Sequence, residues 1–227
     1  MLISVIIPAL NEADSIQACL AQFDQQDDLE VLVVDGGSTD GTLGLVESSD
    51  IGRCITAPEP GRAMQMNFGA QQATGDVLLF LHADTFLPLE GLDLIRQTLV
   101  SDDVVGGRFE LGLAESNIGF RLIAYMSTLR SRYLGITYGD QGIFVRREIF
   151  DSVRGYPLLL LFEDSEFCTL VARRGTFVML PAQVRSSTRR WHKWGVARTV
   201  IWMWLLRVLF TCGVSDKTLC RWYRAVR

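Results

Sequence analysis

Apolar residues fall into short unbroken runs early in this chain and into helical or alternating patterns later. Leu2–Ile7 (LISVII) is β-branched and stops at Pro8, which predicts a buried strand. A helix over Ser15–Phe23 follows, capped by Asn11 or Asp14. Glu30–Val34 predicts a second strand, ended by the loop DGGSTDGT (Asp35–Thr42), whose Gly, Ser and Asp residues favour a tight turn. Further on come a helix from Thr42 through Glu47, a weak strand over Gly52–Thr56, a helix over Ala63–Ala73 and a strand over Val77–Leu81. Five consecutive apolar residues in that last strand suit burial on both faces. Four alternations of strand and helix predict βαβ units and a parallel sheet.

The second half is less regular. Leu92–Val100 and Ile118–Ser131 read as helices, and Val104–Leu113 alternates as an antiparallel strand does. Gly142–Arg146 is a short strand, and Asp164–Arg174 is a helix with Phe167, Leu170 and Val171 at helical spacing and Gly175 as its stop. Thr176–Leu180 is the expected last strand. Arg189–Val214 reads as one or two helices of unusual apolarity: Trp202, Leu205, Leu206 and Leu209 cover one face, and Ile201, Trp204 and Val208 much of the rest.

Charge divides the chain. The first 184 residues carry 12 basic and 25 acidic side chains, whereas Arg185–Arg227 carries 10 basic and one acidic. An acidic body with a basic end suits an anionic partner. No nucleic-acid-binding motif is present, and the acidic body argues against that partner. The five cysteines are scattered without zinc or redox spacing, as expected of reduced cytoplasmic thiols. A core strand directly after Met1 leaves no room for a signal peptide, and no uncharged stretch reaches the ~18 residues of a membrane span. The expectation is a cytoplasmic protein, at most peripheral on the inner face of a membrane. Its C-terminal segment docks on that membrane or on a second copy, unless it packs on the domain's own flank.

Candidate chemistry collects at the strand ends. The fourth strand runs into His82-Ala83-Asp84, and a parallel sheet places ligands beyond its carboxyl edge. On extended backbone the imidazole and the carboxylate would point the same way and suit a divalent cation, which could hold a phosphate. Pro8–Glu12, Asp35 and the Arg62 loop would share that rim. Caps (Asn11, Asp14), a turn former (Asp40) and a solvated Arg62 explain each residue separately. Their joint placement favours a nucleotide, with base and ribose read by carboxylates and backbone and the diphosphate met by Arg62 and a metal at Asp84.

Four segments in order, SVIIPALNE (Ser4–Glu12), VVDGGSTDGT (Val33–Thr42), GDVLLFLHADT (Gly75–Thr85) and FEDSEF (Phe162–Phe167), resemble the signature of family 2 glycosyltransferases. Pro60–Ala70 and Leu81–Thr85 are similar to a short soluble subgroup carrying PGRAxQMNxGA and LHADT. The resemblance implies a GT-A fold: a Rossmann-like, mostly parallel sheet flanked by helices, here over residues 1–188, with a helical appendage over 189–227. It implies inverting transfer from a nucleotide sugar, UDP-linked in most relatives, to an acceptor hydroxyl, with Mn or Mg as cofactor. Pro8, Ala9, Asn11 and Glu12 would line the nucleoside pocket and Asp35 would receive the base. Arg62 and Asn67 lie in the subgroup motif as further nucleotide contacts. Asp84 matches the last acid of D-x-D and would ligate the metal, with His82 in place of the first acid. The second acid of the usual VVDDGS loop is replaced by Gly36.

Inverting transfer needs a base and a cation for the departing diphosphate. Glu163-Asp164 resembles the family's E-D motif, whose Asp is the base; an N-cap with a first-turn acid is the plain structural alternative. Arg189-Arg190-Trp191 is similar to the R-W end of Q-x-x-R-W, placing Arg190 and Trp191 over the diphosphate. Two rivals stand beside this reading. A sugar-1-phosphate nucleotidyltransferase would carry a Gly-rich basic loop where this chain has PALNEAD, and a non-catalytic nucleotide-sugar-binding protein would bind donor without consuming it.

Overall fold

The computed structural model describes residues 1–115, 117–189, 192 and 195–225. Its four leading strands are β1 (Ile3–Ala9), β2 (Leu29–Asp35), β3 (Arg53–Thr56) and β4 (Val77–Phe80), separated by helices α1 (Ile16–Ala21), α2 (Thr42–Glu47) and α3 (Arg62–Gln72). These strands pair in parallel, as the alternation of strand and helix predicts, and their order is β3-β2-β1-β4. Beyond them lie β5 (Thr85–Phe86), α4 (Gly91–Thr98), β6 (Val104–Leu113), α5 (Ile118–Leu134), β7 (Ile143–Arg146), α6 (Arg147–Ser152), α7 (Glu163–Ala172) and β8 (Thr176–Ser186). Two helices end the chain, α8 (Val196–Thr211) and α9 (Asp216–Ala225). The eight-stranded sheet runs β3-β2-β1-β4-β7-β6-β8-β5, with β7 and β5 reversed.

Apolar runs without alternation mean two covered faces, and the packing shows both. Ile3, Val5, Ile7, Val31, Val33 and Leu79 face one core, under α1, α2 and α4. Ile6, Leu32, Val34, Leu78 and Phe80 face the other, under α3, α6 and α7. The pleat sends successive residues to opposite sides, so a strand buried on both must be apolar throughout.

Departures from the sequence reading concentrate after β4. Val104–Leu113 is antiparallel to β7 only at Gly106–Gly107 and parallel to β8 along most of its length. The last strand runs past Leu180 to Ser186. Pro181, which reads as a terminator, sits where the register slips from Phe109↔Leu180 to Glu110↔Gln183, a bulge that needs no N–H from the proline. α6, α9 and the short β5 were not foreseen. α8 is apolar all round yet only half covered. Leu206 packs with Phe162 and Leu219, while Ile201, Trp204, Leu205 and Val208 are exposed. No helix among the described residues is long and apolar enough to cross a membrane.

Candidate functional site

The parallel register brings four loops to one rim. Ala9 stands opposite Asp35, Asp35 opposite Thr56, and Leu81 N–H bonds Ile6 O at 3.1 Å. The loops after β1, β2, β3 and β4 therefore leave the same edge, where α/β sheets bind ligands.

Side chains knit the first two loops together. Asn11, at φ 55°, accepts Thr39 N–H on Oδ1 at 2.8 Å, and its own N–H bonds Ser38 Oγ at 2.9 Å. Asn tolerates that left-handed backbone better than most residues. Glu12 N–H bonds Thr42 Oγ1 and Ala13 N–H bonds Asp40, so Asp40 and Thr42 are lattice points of the rim. Asp35 is buried, and its carboxylate accepts Gly37 and Ser38 N–H at 2.8 and 3.1 Å. It fixes its own loop, and through that loop the edge to which Pro8 and Ala9 lead.

Gln65 is a site residue that the sequence reading missed. Buried on α3, it donates from Nε2 to Ala9 O and Val34 O, both at 2.8 Å, clamping the ends of β1 and β2. A Cβ added at Gly36 would lie 2.9 Å from that nitrogen. The glycine in place of the usual second acid makes room for the clamp. The available signal was a glutamine between Ala63 and Met66 on an otherwise apolar helix face. Gln65→Leu is expected to cost about 2 kcal/mol in urea denaturation, because two buried carbonyls lose a donor.

Asn67 stands elsewhere. Its amide donates to Tyr156 O at 2.9 Å and accepts Tyr156 N–H at 2.8 Å, so both ends secure the loop before α7 rather than face the nucleotide rim.

His82 and Asp84 also part company. Thr85 N–H bonds His82 O at 3.0 Å, so a turn, not extended backbone, separates them. The two-residue rule for a shared face does not apply there. A Cβ added at Gly139 would meet His82 Nε2 at 2.5 Å and Asp164 Oδ2 at 2.7 Å, which places the imidazole beside the candidate base. Asp84 instead meets Arg189. One guanidinium nitrogen lies 2.7 Å from Glu12 Oε2 and 3.3 Å from Asp84 Oδ2.

No group of three or more His, Cys, Asp or Glu side chains among the described residues forms a ready metal cage. Two carboxylates bridged by one cationic nitrogen nevertheless present the oxygen donors that Mn and Mg take, with diphosphate oxygens to complete the shell. Arg190 and Trp191 lie outside the described residues. Among the described residues Arg189 brings a positive charge to Glu12 and Asp84.

Glu163 and Asp164 open α7. Phe162, immediately before them, is buried at φ 69°, a strained conformation for a bulky residue that its packing must hold. Tyr138, Leu206 and Phe210 pack around it. Asp164 Oδ2 accepts Gly139 N–H at 2.9 Å, and Oδ1 has no hydrogen-bond partner among the described residues. Arg62 pairs with Glu163 at 3.1 Å and reaches Asp164 at 3.9 Å. Burial, and then the charge of Glu163, push the Asp164 carboxyl up to about 7 against the pull of Arg62.

The sheet places a rim built from the loops after its leading strands on the same chain as a buried carboxylate pair, Glu163 and Asp164. A match to glycosyl transferase family 2 covers residues 4–154, and the chain belongs to that family. The glycosyltransferase AglE of Haloferax volcanii is 30% identical over 172 residues, 68% of this chain and 56% of that protein. The chain thus spans little more than half of that relative's length. Among solved structures, the mannosyltransferase PcManGT of Pyrobaculum calidifontis, in complex with GDP-Man and Mn2+, superposes with a TM-score of 0.69 at 24% identity, over 85% of this chain and 59% of that one. S. aureus TarS 1-349 in complex with UDP-GlcNAc gives 0.64 at 20% identity, over 83% and 59%. At these identities the likeness establishes the GT-A fold.

Proposed function

We propose that this chain takes a sugar from a nucleoside diphosphate carrier, UDP-linked, and passes it with inversion to an acceptor hydroxyl. The observation that carries this reading is Asp164, a buried carboxylate with one oxygen held by Gly139 N–H, the other without a hydrogen-bond partner among the described residues, and a pKa raised to about 7. A group of that kind is half ionised near neutral pH and accepts a proton well. The acceptor oxygen attacks the anomeric carbon, and its proton passes to Asp164 Oδ1. The bond from that carbon to the diphosphate breaks, and the electron pair leaves with the diphosphate.

Arg62 restrains the carboxylate pair, and the loops carrying Asn11, Glu12 and Asp35 cradle the nucleoside. A divalent cation, held by Asp84 with Glu12 beside it, would supply the positive charge that a departing diphosphate needs. Arg189, which bridges those two acids, moves to the diphosphate when donor enters. The GDP-Man and Mn2+ complex of one protein sharing this fold, and the UDP-GlcNAc complex of another, support a nucleotide-sugar donor.

Thermal shift tests the donor assignment. UDP with manganese is expected to raise the melting point more than UDP alone. Stabilisation by GDP and none by UDP would overturn the choice of base.

A further inference from the structure

We propose that a groove between α5 and α8 holds the apolar chain of a lipid acceptor drawn from a bilayer, with its hydroxylated head at Asp164; this rests on the transferase reading above. The groove is a cavity of about 430 Å3, within the range of small-molecule sites. Leu122, Ile123 and Met126 of α5 form one wall, and Val200, Met203 and Trp204 of α8 the other. Tyr138 and Asp140 also line it, and they flank Gly139, whose N–H supports the candidate base. The cavity therefore runs beside the loop whose backbone holds the proposed base.

The outer face of both helices fits the same occupant. Ile118, Leu122, Tyr125 and Met126 recur at helical spacing on α5 and are exposed, as are Ile201, Trp204, Leu205 and Val208 on α8. Leu122, Met126, Ile201 and Trp204 belong both to these stripes and to the cavity lining, so the groove opens into an apolar surface. Contiguous apolar surface of this kind marks an interaction site. A second copy of the chain would cover the stripes but leave the cavity beside Asp164 unexplained, whereas a lipid fills both.

Polar groups suit the head and the headgroup layer. Arg207 lines the cavity and pairs with Glu166 at 3.2 Å, which sets a cation in its wall. Arg121 and Arg198 are exposed on the same two helices, which favours anionic lipid, and Tyr125 and Trp204 are residues typical of a membrane interface.

The test is calorimetric titration of the full chain with n-alkyl glucosides of increasing chain length, below their micelle concentrations. Wild type is expected to bind about two- to fourfold more tightly per added methylene. Leu122→Arg and Ile201→Arg are expected to lose that dependence; both residues are more than half exposed (59% and 67%), so the substitutions leave the fold intact. Vesicles of phosphatidylglycerol and phosphatidylcholine should sediment wild type at low salt. Binding indifferent to chain length, an unchanged dependence in both variants, or no sedimentation with vesicles overturns the proposal. So does a stable dimer that the glucosides fail to compete with. Hydrolysis of nucleotide sugar by wild type, measured separately, decides the transferase reading by itself: hydrolysis without chain-length dependence leaves that reading standing and removes the groove.

Discussion

Asp164→Asn is expected to lower sugar transfer by about 10²–10⁴-fold, the scale of a lost general base, and to raise the melting point at the same time. The first effect follows from the free Oδ1, the proton acceptor in the proposed step. The second follows from burial. The folded protein holds the Asp164 proton up to about 7, against 3.8 for the ordinary side chain. Between those values the folded state binds the proton more tightly than the unfolded chain does, so stability falls as pH rises through that window and stays reduced above it. Asparagine has no charge to bury and keeps an oxygen for Gly139 N–H. Its melting point should exceed that of wild type by roughly 5 °C at about pH 8, and the gap should close toward pH 4. A melting point lowered equally at both pH values would show that Asp164 is a structural cap.

Asp84→Ala is expected to remove the increment that manganese adds to stabilisation by UDP. Ligand at a hundred times its dissociation constant stabilises by about 2.7 kcal/mol, so the loss is measurable in a melting experiment at fixed UDP. Asp84 shares Arg189 with Glu12 at the end of β4, and the substitution leaves Glu12 alone to hold both cations. If manganese still enhances UDP binding by Asp84→Ala, the metal is held elsewhere.

The sequence located the leading strands within two residues because the runs of β1, β2 and β4 are apolar on both faces, although β1 passes through Pro8, where the reading stopped it, and pairs on to Ala9. It failed where polarity hides burial. Gln183, Arg185 and Ser186 continue β8 past a proline, since one face of that strand is exposed and the bulge absorbs Pro181. Resemblance named Glu163-Asp164, but nothing local to that motif distinguishes a base from a helix cap. What the fold adds is the Gly139 N–H on Asp164, a contact 25 residues away in sequence. Gln65 was legible as a polar residue on an apolar helix face, whereas its contact with Gly36 needed the fold. The shared face expected of His82 and Asp84 fails for a simple reason: the strand stops before the turn that separates them. Apolarity all round α8 argued for burial, and the structure divides it between a packed face and an exposed one.

On the proposed reading this chain consumes a nucleotide sugar through Asp164. Proton NMR of a UDP-sugar incubated with the protein and manganese, followed before the freed sugar equilibrates its anomers, tests it most directly. The expected result is release of UDP with the sugar first appearing in the anomer opposite to that of the donor, and no such release by Asp164→Asn. Release of the same anomer as the donor, or release undiminished in Asp164→Asn, would contradict it.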